Sequence, residues 1–397
     1  MRRIILFVII CFAFSLTGLF AIEFGGLAIG EFNAEGQEET DISGSVILAP
    51  WLSVLFTNAE LYFSAGLNMS FAKESVFAPE LYRLEYAMRI SPLVSFRVGR
   101  IAWEDPSGMV AKGRFDGADF LFDLGKIRLG VNALYTGFLF KDTADINVSP
   151  ADTKDYSVNL DWRDFGGTYF APRRLLASVY GEFPGLPAER GHLYAGITAQ
   201  FDLSGAGEAY HTQYILLRHT FIFKAFDLDA SGTAGLEYTK ADGVKPVFAF
   251  MVEGGWQPPS AIKDRVSLGI AWASGDGSFT SAFFPVTREA HGYALKPLLS
   301  GMMIIKTKYE AMILPVLSAE AGASYFIRTD STSFTMPHLE NTSYALGAEF
   351  DGGVVWAPFS DLTFSLKGGV FIPKTGTAWD NSAPVLWRVT AGAIVSF

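Results

Sequence analysis

Charged side chains recur at every second position in several stretches of this chain, and that spacing marks where its chemistry must lie. Arg83, Glu85 and Arg89 share one parity within 81–90, and Asp227, Asp229 and Glu237 share one within 226–239. Glu253, Arg97, Lys126, Arg128, Arg328, Lys367 and Arg388 stand in comparable surroundings. Rings or ladders of Arg and Lys favour anions, acidic rings do the reverse, and Arg can fork onto a carboxylate or phosphate. Two arrangements fit these residues. A basic and an acidic wall could face each other across a wet constriction, or neighbours such as Arg83, Glu85 and Arg89 could satisfy one another as ion pairs.

Catalysis finds no comparable support. There are five histidines, and His211 and His219 share a strand parity. At strand rise they would stand about 27 Å apart, too far to share a metal. No spacing sets a base beside a nucleophile or a carboxylate pair. Gly25-Gly26 and Gly352-Gly353 read as strand bends, because no helical pattern follows to make a phosphate loop. The single cysteine, Cys11, lies in an apolar N-terminal run, so neither a disulfide nor a thiolate site is expected beyond it. The expectation is no enzyme, no cofactor and no metal. A formal net charge of −10 also argues against nucleic acid as a partner.

The elements that must position these charges are strands. Within 61–71, Leu61, Phe63, Ala65, Leu67, Met69 and Phe71 alternate with Tyr62, Ser64, Gly66, Asn68 and Ser70. The same dyad runs through 126–135, 193–203, 226–239, 248–256 and 362–372. Period two is the signature of a strand, and apolar-out, polar-in segments of about ten residues are the signature of a transmembrane barrel. Mean hydropathy is +0.25 and 15% of residues are aromatic, as expected when one face of every strand meets lipid. The fold class expected is all-β, a transmembrane antiparallel up-and-down barrel of about eighteen strands, with sixteen as second choice, since bacterial single-chain barrels take even numbers. Nineteen candidate segments can be marked, roughly one too many for that even count; 154–162 and 302–313 are the weakest. Segments 104–114, 140–171, 275–301 and 329–340 read as outer loops, and Ser91-Pro92, Gly125, Ala225-Phe226 and Pro358-Phe359 as short turns on the other side. Tyr82, Tyr86, Trp103, Tyr135, Tyr238, Trp256, Trp272, Trp356 and Trp387 read as an interfacial girdle. Tyr62 and Tyr194 fall on the lumen side by parity.

The two ends carry their own signals. Met1-Arg2-Arg3, an apolar run over 4–14 and Ala21 resemble a secretory signal peptide over 1–21, leaving 22–397 as the barrel. The final strand, 386–397, alternates strictly and stops on Phe397. It resembles the C-terminal signal of bacterial outer-membrane barrels, which the barrel-assembly machinery reads. That resemblance implies the outer membrane of a diderm bacterium, with outer-membrane lipid and the assembly machinery as partners.

The most distinctive internal stretch runs from Arg97 to Gly117, with Gly99, Arg100, Arg114, Phe115, Asp116 and Gly117 in a G-R…R-F-D-G pattern. It resembles the alginate-export family of outer-membrane barrels, with an echo in Ser274-Gly-Asp-Gly277 followed by Phe283-Phe284-Pro285. The resemblance implies a monomeric eighteen-stranded pore for small hydrophilic solutes, anionic or sugar-like ones among them. The acidic residues expected in the lumen depart from a conduit lined purely by arginine. A barrel with a plugged lumen, serving as a surface adhesin or partner-binding protein, is the alternative. A transporter of hydrophobic solutes would want an apolar lumen, against which the alternating charges argue.

Overall fold

A computed structural model describes residues 21–397 apart from 38, 73, 74, 147, 187, 188, 206–208, 261, 341 and 342. The expected signal peptide falls on residues 1–20, outside the described residues, and on Ala21, which opens the first strand. Among the described residues, eighteen strands form one antiparallel sheet. The first nine are β1 (Ala21–Gly36), β2 (Thr40–Leu55), β3 (Ala59–Phe71), β4 (Ser75–Ser91), β5 (Val94–Glu104), β6 (Lys112–Asp123), β7 (Arg128–Tyr135), β8 (Arg174–Pro184) and β9 (Gly191–Asp202). The others are β10 (Tyr210–Phe223), β11 (Phe226–Thr239), β12 (Gly243–Trp256), β13 (Lys263–Ala273), β14 (Met302–Leu314), β15 (Leu317–Arg328), β16 (Ala345–Phe359), β17 (Leu362–Ile372) and β18 (Leu386–Ser396).

Each strand pairs with its neighbours in sequence, and β1 pairs with β18 from Leu27↔Ser396 to Gly36↔Trp387, which closes the barrel. Phe397 extends that closure: its carbonyl accepts the Gly26 N–H at 2.7 Å, and its own N–H donates to the Gly26 carbonyl at 3.1 Å. Closure pairs the ladder groups of the edge strands, which a hydrocarbon environment demands. The outer face is apolar, with Phe63, Leu84, Phe120, Ile197, Ile215, Leu268 and Phe350 all exposed. No helix among the described residues is long and apolar enough to cross a membrane, so the crossing elements are the strands.

Segment 302–313 is a full strand, β14, whereas 154–162 is not one. The chain there forms a short α-helix, Pro150–Tyr156, one of three α-helices, with a 3-10 turn at Trp162–Asp164, in the long connection between β7 and β8. Ser149 caps that helix by accepting the Asp152 N–H, and Asp152 reaches back to the Ser149 N–H. This is a capping box, an N-terminal signal that the strand reading passed over. The connections 105–111, 136–173, 274–301 and 329–344 lie on one rim, together with 373–385, which the sequence reading did not mark. The two- to four-residue turns at 56–58, 92–93, 124–127, 224–225, 315–316 and 360–361 lie on the opposite rim.

The Gly99-to-Gly117 motif has a structural role in the wall. Gly99 stands opposite Gly117, and Arg100 grips Asp116 through two bonds of 2.9 and 2.8 Å. The β4–β5 ladder ends at Leu84↔Arg100, so the upper part of β4 runs on without β5. Arg100 spans that gap by donating to the Leu81 and Phe138 carbonyls, at 2.7 and 2.8 Å. Its charge is matched by Asp116 and it is buried, which offsets the cost of an outward-facing cation. Gly99 has φ +114, and a Cβ there would lie 2.0 Å from the Leu84 carbonyl oxygen. Gly99→Ala should therefore destabilise the barrel by about 1–3 kcal/mol, combining backbone strain with overpacking. Heat-modifiable migration and the thermal unfolding midpoint of the purified barrel would check this; an unchanged midpoint would contradict it.

Candidate functional site in the barrel lumen

The strand registers decide which side chains face inward. Asp227, Asp229 and Glu237 share the inner face of β11, Glu253 stands opposite Asp229 on β12, and Arg265 follows on β13. Lys306, Lys308 and Glu310 line β14, Glu320 lines β15, Asp351 lines β16 and Lys367 lines β17. These residues are bonded to one another across the strands. Arg265 holds Asp227 at 2.6 Å and Glu253 at 3.1 Å, and lies 3.7 Å from Glu310. Lys306 holds Glu253 at 2.9 Å. Lys308 bridges Glu310 at 2.8 Å and Glu320 at 2.6 Å, and Lys367 bridges Glu320 at 2.9 Å and Asp351 at 3.4 Å. One continuous ladder of alternating charge thus runs from β11 to β17.

The remaining wall follows the same rule in separate clusters. Arg83 pairs with Glu85 at 2.9 Å and lies over the Tyr62 ring. Arg97 pairs with Asp119 at 2.6 Å, and Arg128 lies 3.7 Å from Asp123 and 3.8 Å from Glu182. Arg218 pairs with Asp229 at 2.5 Å. Arg388 donates to Asn33 at 3.0 Å and lies 3.6 Å from Glu35. The ion-pair arrangement is the one observed, and the segregated basic and acidic walls are not. Most of these pairs are partly hydrated, so each adds only about 0–1 kcal/mol to stability; their effect is on the field inside the barrel.

Four expected lining residues have other settings. Lys126 sits in the 124–127 turn at the rim, not on a strand face, because β7 begins only at Arg128. Arg89 has inward parity but is exposed at the same rim, where it donates to the Pro92 carbonyl at 3.2 Å. Arg328 is buried at the loop end, where its guanidinium donates to the Glu340 carbonyl at 2.6 Å and to that of Ser343. Glu237 is buried as well, accepting from Tyr210 Oη at 2.8 Å and Ser281 Oγ at 3.1 Å. Trp103 faces inward rather than into the girdle and packs against Phe115 and Tyr180. Arg265, Lys306, Lys308, Glu310, Glu320 and Asp351 escaped the reading, although the parity of 302–313 carries three of them.

Two connections fold into the barrel and fill its loop half. Connection 274–301 buries Phe283, Val286, Leu295 and Leu299 against Ile101, Phe115, Leu134, Leu176, Tyr214 and Val110. An apolar core therefore exists within a lumen expected to be polar, and loop side chains occupy it. Wall carboxylates hold the loop backbone. Glu349, on β16, accepts the N–H groups of Tyr293, Ala294 and Leu295, the last at 2.8 Å. Tyr293 Oη reaches Thr390 Oγ1 at 2.5 Å, and its ring lies between Lys367 and Arg388 at 5.0 and 5.4 Å. In 105–111, Asp105 accepts from Ser107, Gly108, Val110 and Ala111, and the Val110 carbonyl accepts the Val286 N–H at 2.7 Å. Arg174, fully buried on β8, secures the 136–173 connection through Asp152 at 2.5 Å.

Space remains along the β10–β15 wall. A cavity of about 480 Å³ is lined by Glu104, Arg218, Asp229, Glu253, Glu289 and Lys306, among others. A larger one of about 960 Å³ lies toward the turn rim and includes Tyr293, Glu310, Glu320 and Lys367. Arg265 lines both, with Asp227, Glu253 and Lys306 on the smaller and Glu310, Glu320 and Lys367 on the larger.

Removing the Glu349 carboxylate should release the inner loop, since each buried N–H left unpaired costs about 1–3 kcal/mol. Glu349→Ala should expose the Tyr293–Ala294 bond to chymotrypsin, and resistance equal to the parent protein would contradict this. A pH effect follows from His291 on the same loop. Burial, then the nearby Lys306, pushes its imidazole from 6.5 down to about 4. The unfolded chain gains the proton first as pH falls, so the docked loop keeps its full stability above 6.5 and loses it progressively toward 4. Proteinase K cleavage within 291–295, normalised to an unfolded control, should rise across that window, and His291→Asn should flatten the rise.

No protein-family model and no curated protein matches the chain. Solved structures do. OccK5 (OpdH) of Pseudomonas aeruginosa superposes with a TM-score of 0.62 at 9% identity, covering 95% of this chain and 98% of that one. OccK2 (OpdF) of the same organism, in complex with glucuronate, gives 0.62 at 12% identity with the same coverage. OccD3 (OpdP) gives 0.56 at 12% identity, covering 94% and 90%. These comparisons add nothing to the alginate-export resemblance beyond the barrel itself. The chain has the eighteen-stranded fold of these bacterial outer-membrane barrels.

Proposed function

We propose that this protein is a pore of the bacterial outer membrane through which small hydrophilic solutes diffuse. The observation that carries the reading is the charged, partly exposed ladder from Asp227 to Asp351, whose Arg265 lines both lumen spaces. A closed barrel whose interior is wet and whose exterior is apolar suits passage of polar solutes across lipid. The inner loops narrow the route to one wall, which suits selection by charge and size rather than bulk flow. The fold shared with OccK2, solved with glucuronate, agrees with a solute of monosaccharide size. The Gly99-to-Gly117 resemblance points toward similar solutes. The assembly machinery, reading the strand that ends at Phe397, would insert the barrel into outer-membrane lipid. Lining roles fall to Arg83, Glu85, Arg97, Arg128, Asp227, Asp229, Glu253, Lys367 and Arg388.

The second reading, a partner-binding barrel with a plugged lumen, draws on the apolar core that 274–301 builds inside the loop half. Planar-bilayer recording of the folded protein separates the two. The pore reading expects discrete conductance steps, which grow when Glu349→Ala frees the inner loop. A folded barrel that stays silent, with and without that substitution, would favour the plugged reading.

A further inference from the structure

The inner wall carries many cations, yet those of its mid-section are already engaged by carboxylates. In the continuous ladder the cations are Arg265, Lys306, Lys308 and Lys367, and the anions are Asp227, Glu253, Glu310, Glu320 and Asp351. Two of those anions act doubly. Glu253 takes Arg265 through one oxygen and Lys306 through the other. Glu320 takes Lys308 and Lys367 in the same way. Elsewhere on the inner face two carboxylates have only neutral donors: Glu31 accepts from Asn33, and Glu60 accepts from Ser53. Glu289 lines the smaller cavity with no ion-pair partner among the described residues.

A carboxylate solute entering this route must displace a wall carboxylate to gain a cation, and it approaches a wall with excess negative charge. At ordinary ionic strength the field of such groups reaches about 8–10 Å. From this, and resting on the pore reading above, the structure assigns Glu253 and Glu320 as the specificity-determining residues of the lumen. Between them they bridge all four ladder cations, and with Asp227, Glu310 and Asp351 they leave the ladder net negative, so the pore favours small cations and neutral polyols over anionic solutes. Removing them converts the same wall into one that accepts carboxylates.

The test is the reversal potential of single channels under a potassium chloride gradient, repeated with potassium gluconate, on barrels whose folding is verified by heat-modifiable migration. The wild type should pass potassium in preference to chloride and gluconate. The double variant Glu253→Gln/Glu320→Gln should keep its conductance steps but lower the potassium-to-chloride permeability ratio by about twofold or more, with a rise in gluconate current. Glu320→Gln alone leaves Lys308 with Glu310 and Lys367 with Asp351, so it should move the ratio the same way by less. Conductance steps with chloride preference in the wild type, or a ratio that neither variant changes, overturn the assignment while leaving the pore intact. A folded wild type without steps overturns the pore reading and the assignment with it.

Discussion

Everything in this molecule depends on pairing backbone polar groups where water cannot reach them. In hydrocarbon an unpaired N–H or carbonyl costs several kcal/mol, and a sheet with two free edges would leave two rows of them. Pairing β1 with β18 removes both edges at once. Closure then forces the side chains to sort by parity, one set meeting lipid and the other enclosed with water. The charge ladder exists because the enclosed set includes Arg265, Glu310, Glu320 and Lys367, which the strand registers set in one row across β13 to β17, with Gly353 between the last two.

The same demand recurs inside the barrel and is met by different chemistry. Loops that fold into the lumen bring backbone donors with no strand to pair them. Buried carboxylates supply the acceptors: Glu349 for 293–295, Asp105 for its own loop, and Asp330 for Thr332, Ser333 and Asp276. A carboxylate offers two oxygens and about four lone-pair directions, so one side chain can fix a whole turn of chain. The long connections can therefore be ordered without regular secondary structure. The apolar cluster around Phe283 and Trp103 then packs on a frame that hydrogen bonds already hold.

The strands were largely legible in the sequence because their period is two and lipid tolerates few exceptions to it. The inner faces of β4, β11 and β12 could be read directly, and so could the final strand. Segment 302–313 looked weak for the very reason it matters: Lys306, Lys308 and Glu310 are lumen charges, and they dilute the apolar signal of their strand. Lys126 was misplaced because alternation continues by chance into the turn before β7. Trp103 was placed among the girdle aromatics because parity at a strand end says nothing about a loop folding back over it. The inner loops, and with them Glu349 and Arg174, were not legible. Their contacts join residues far apart in sequence, and no local period records such a contact.

The order of the strands has a consequence for how the barrel comes into being. Every ladder but one joins segments adjacent in sequence, so nearly all the sheet can grow by local hairpin steps of low contact order. The exception unites the two ends of the chain. Its closure entropy grows only logarithmically with the intervening length, about 0.6 kcal/mol per doubling, and it falls on a single joint. That joint is mortised by Phe397 against Gly25 and Gly26, where even a methyl group would collide with the terminal residue. The barrel is a zip whose teeth mesh in any order along its length, fastened by a clasp that accepts only glycine on one side.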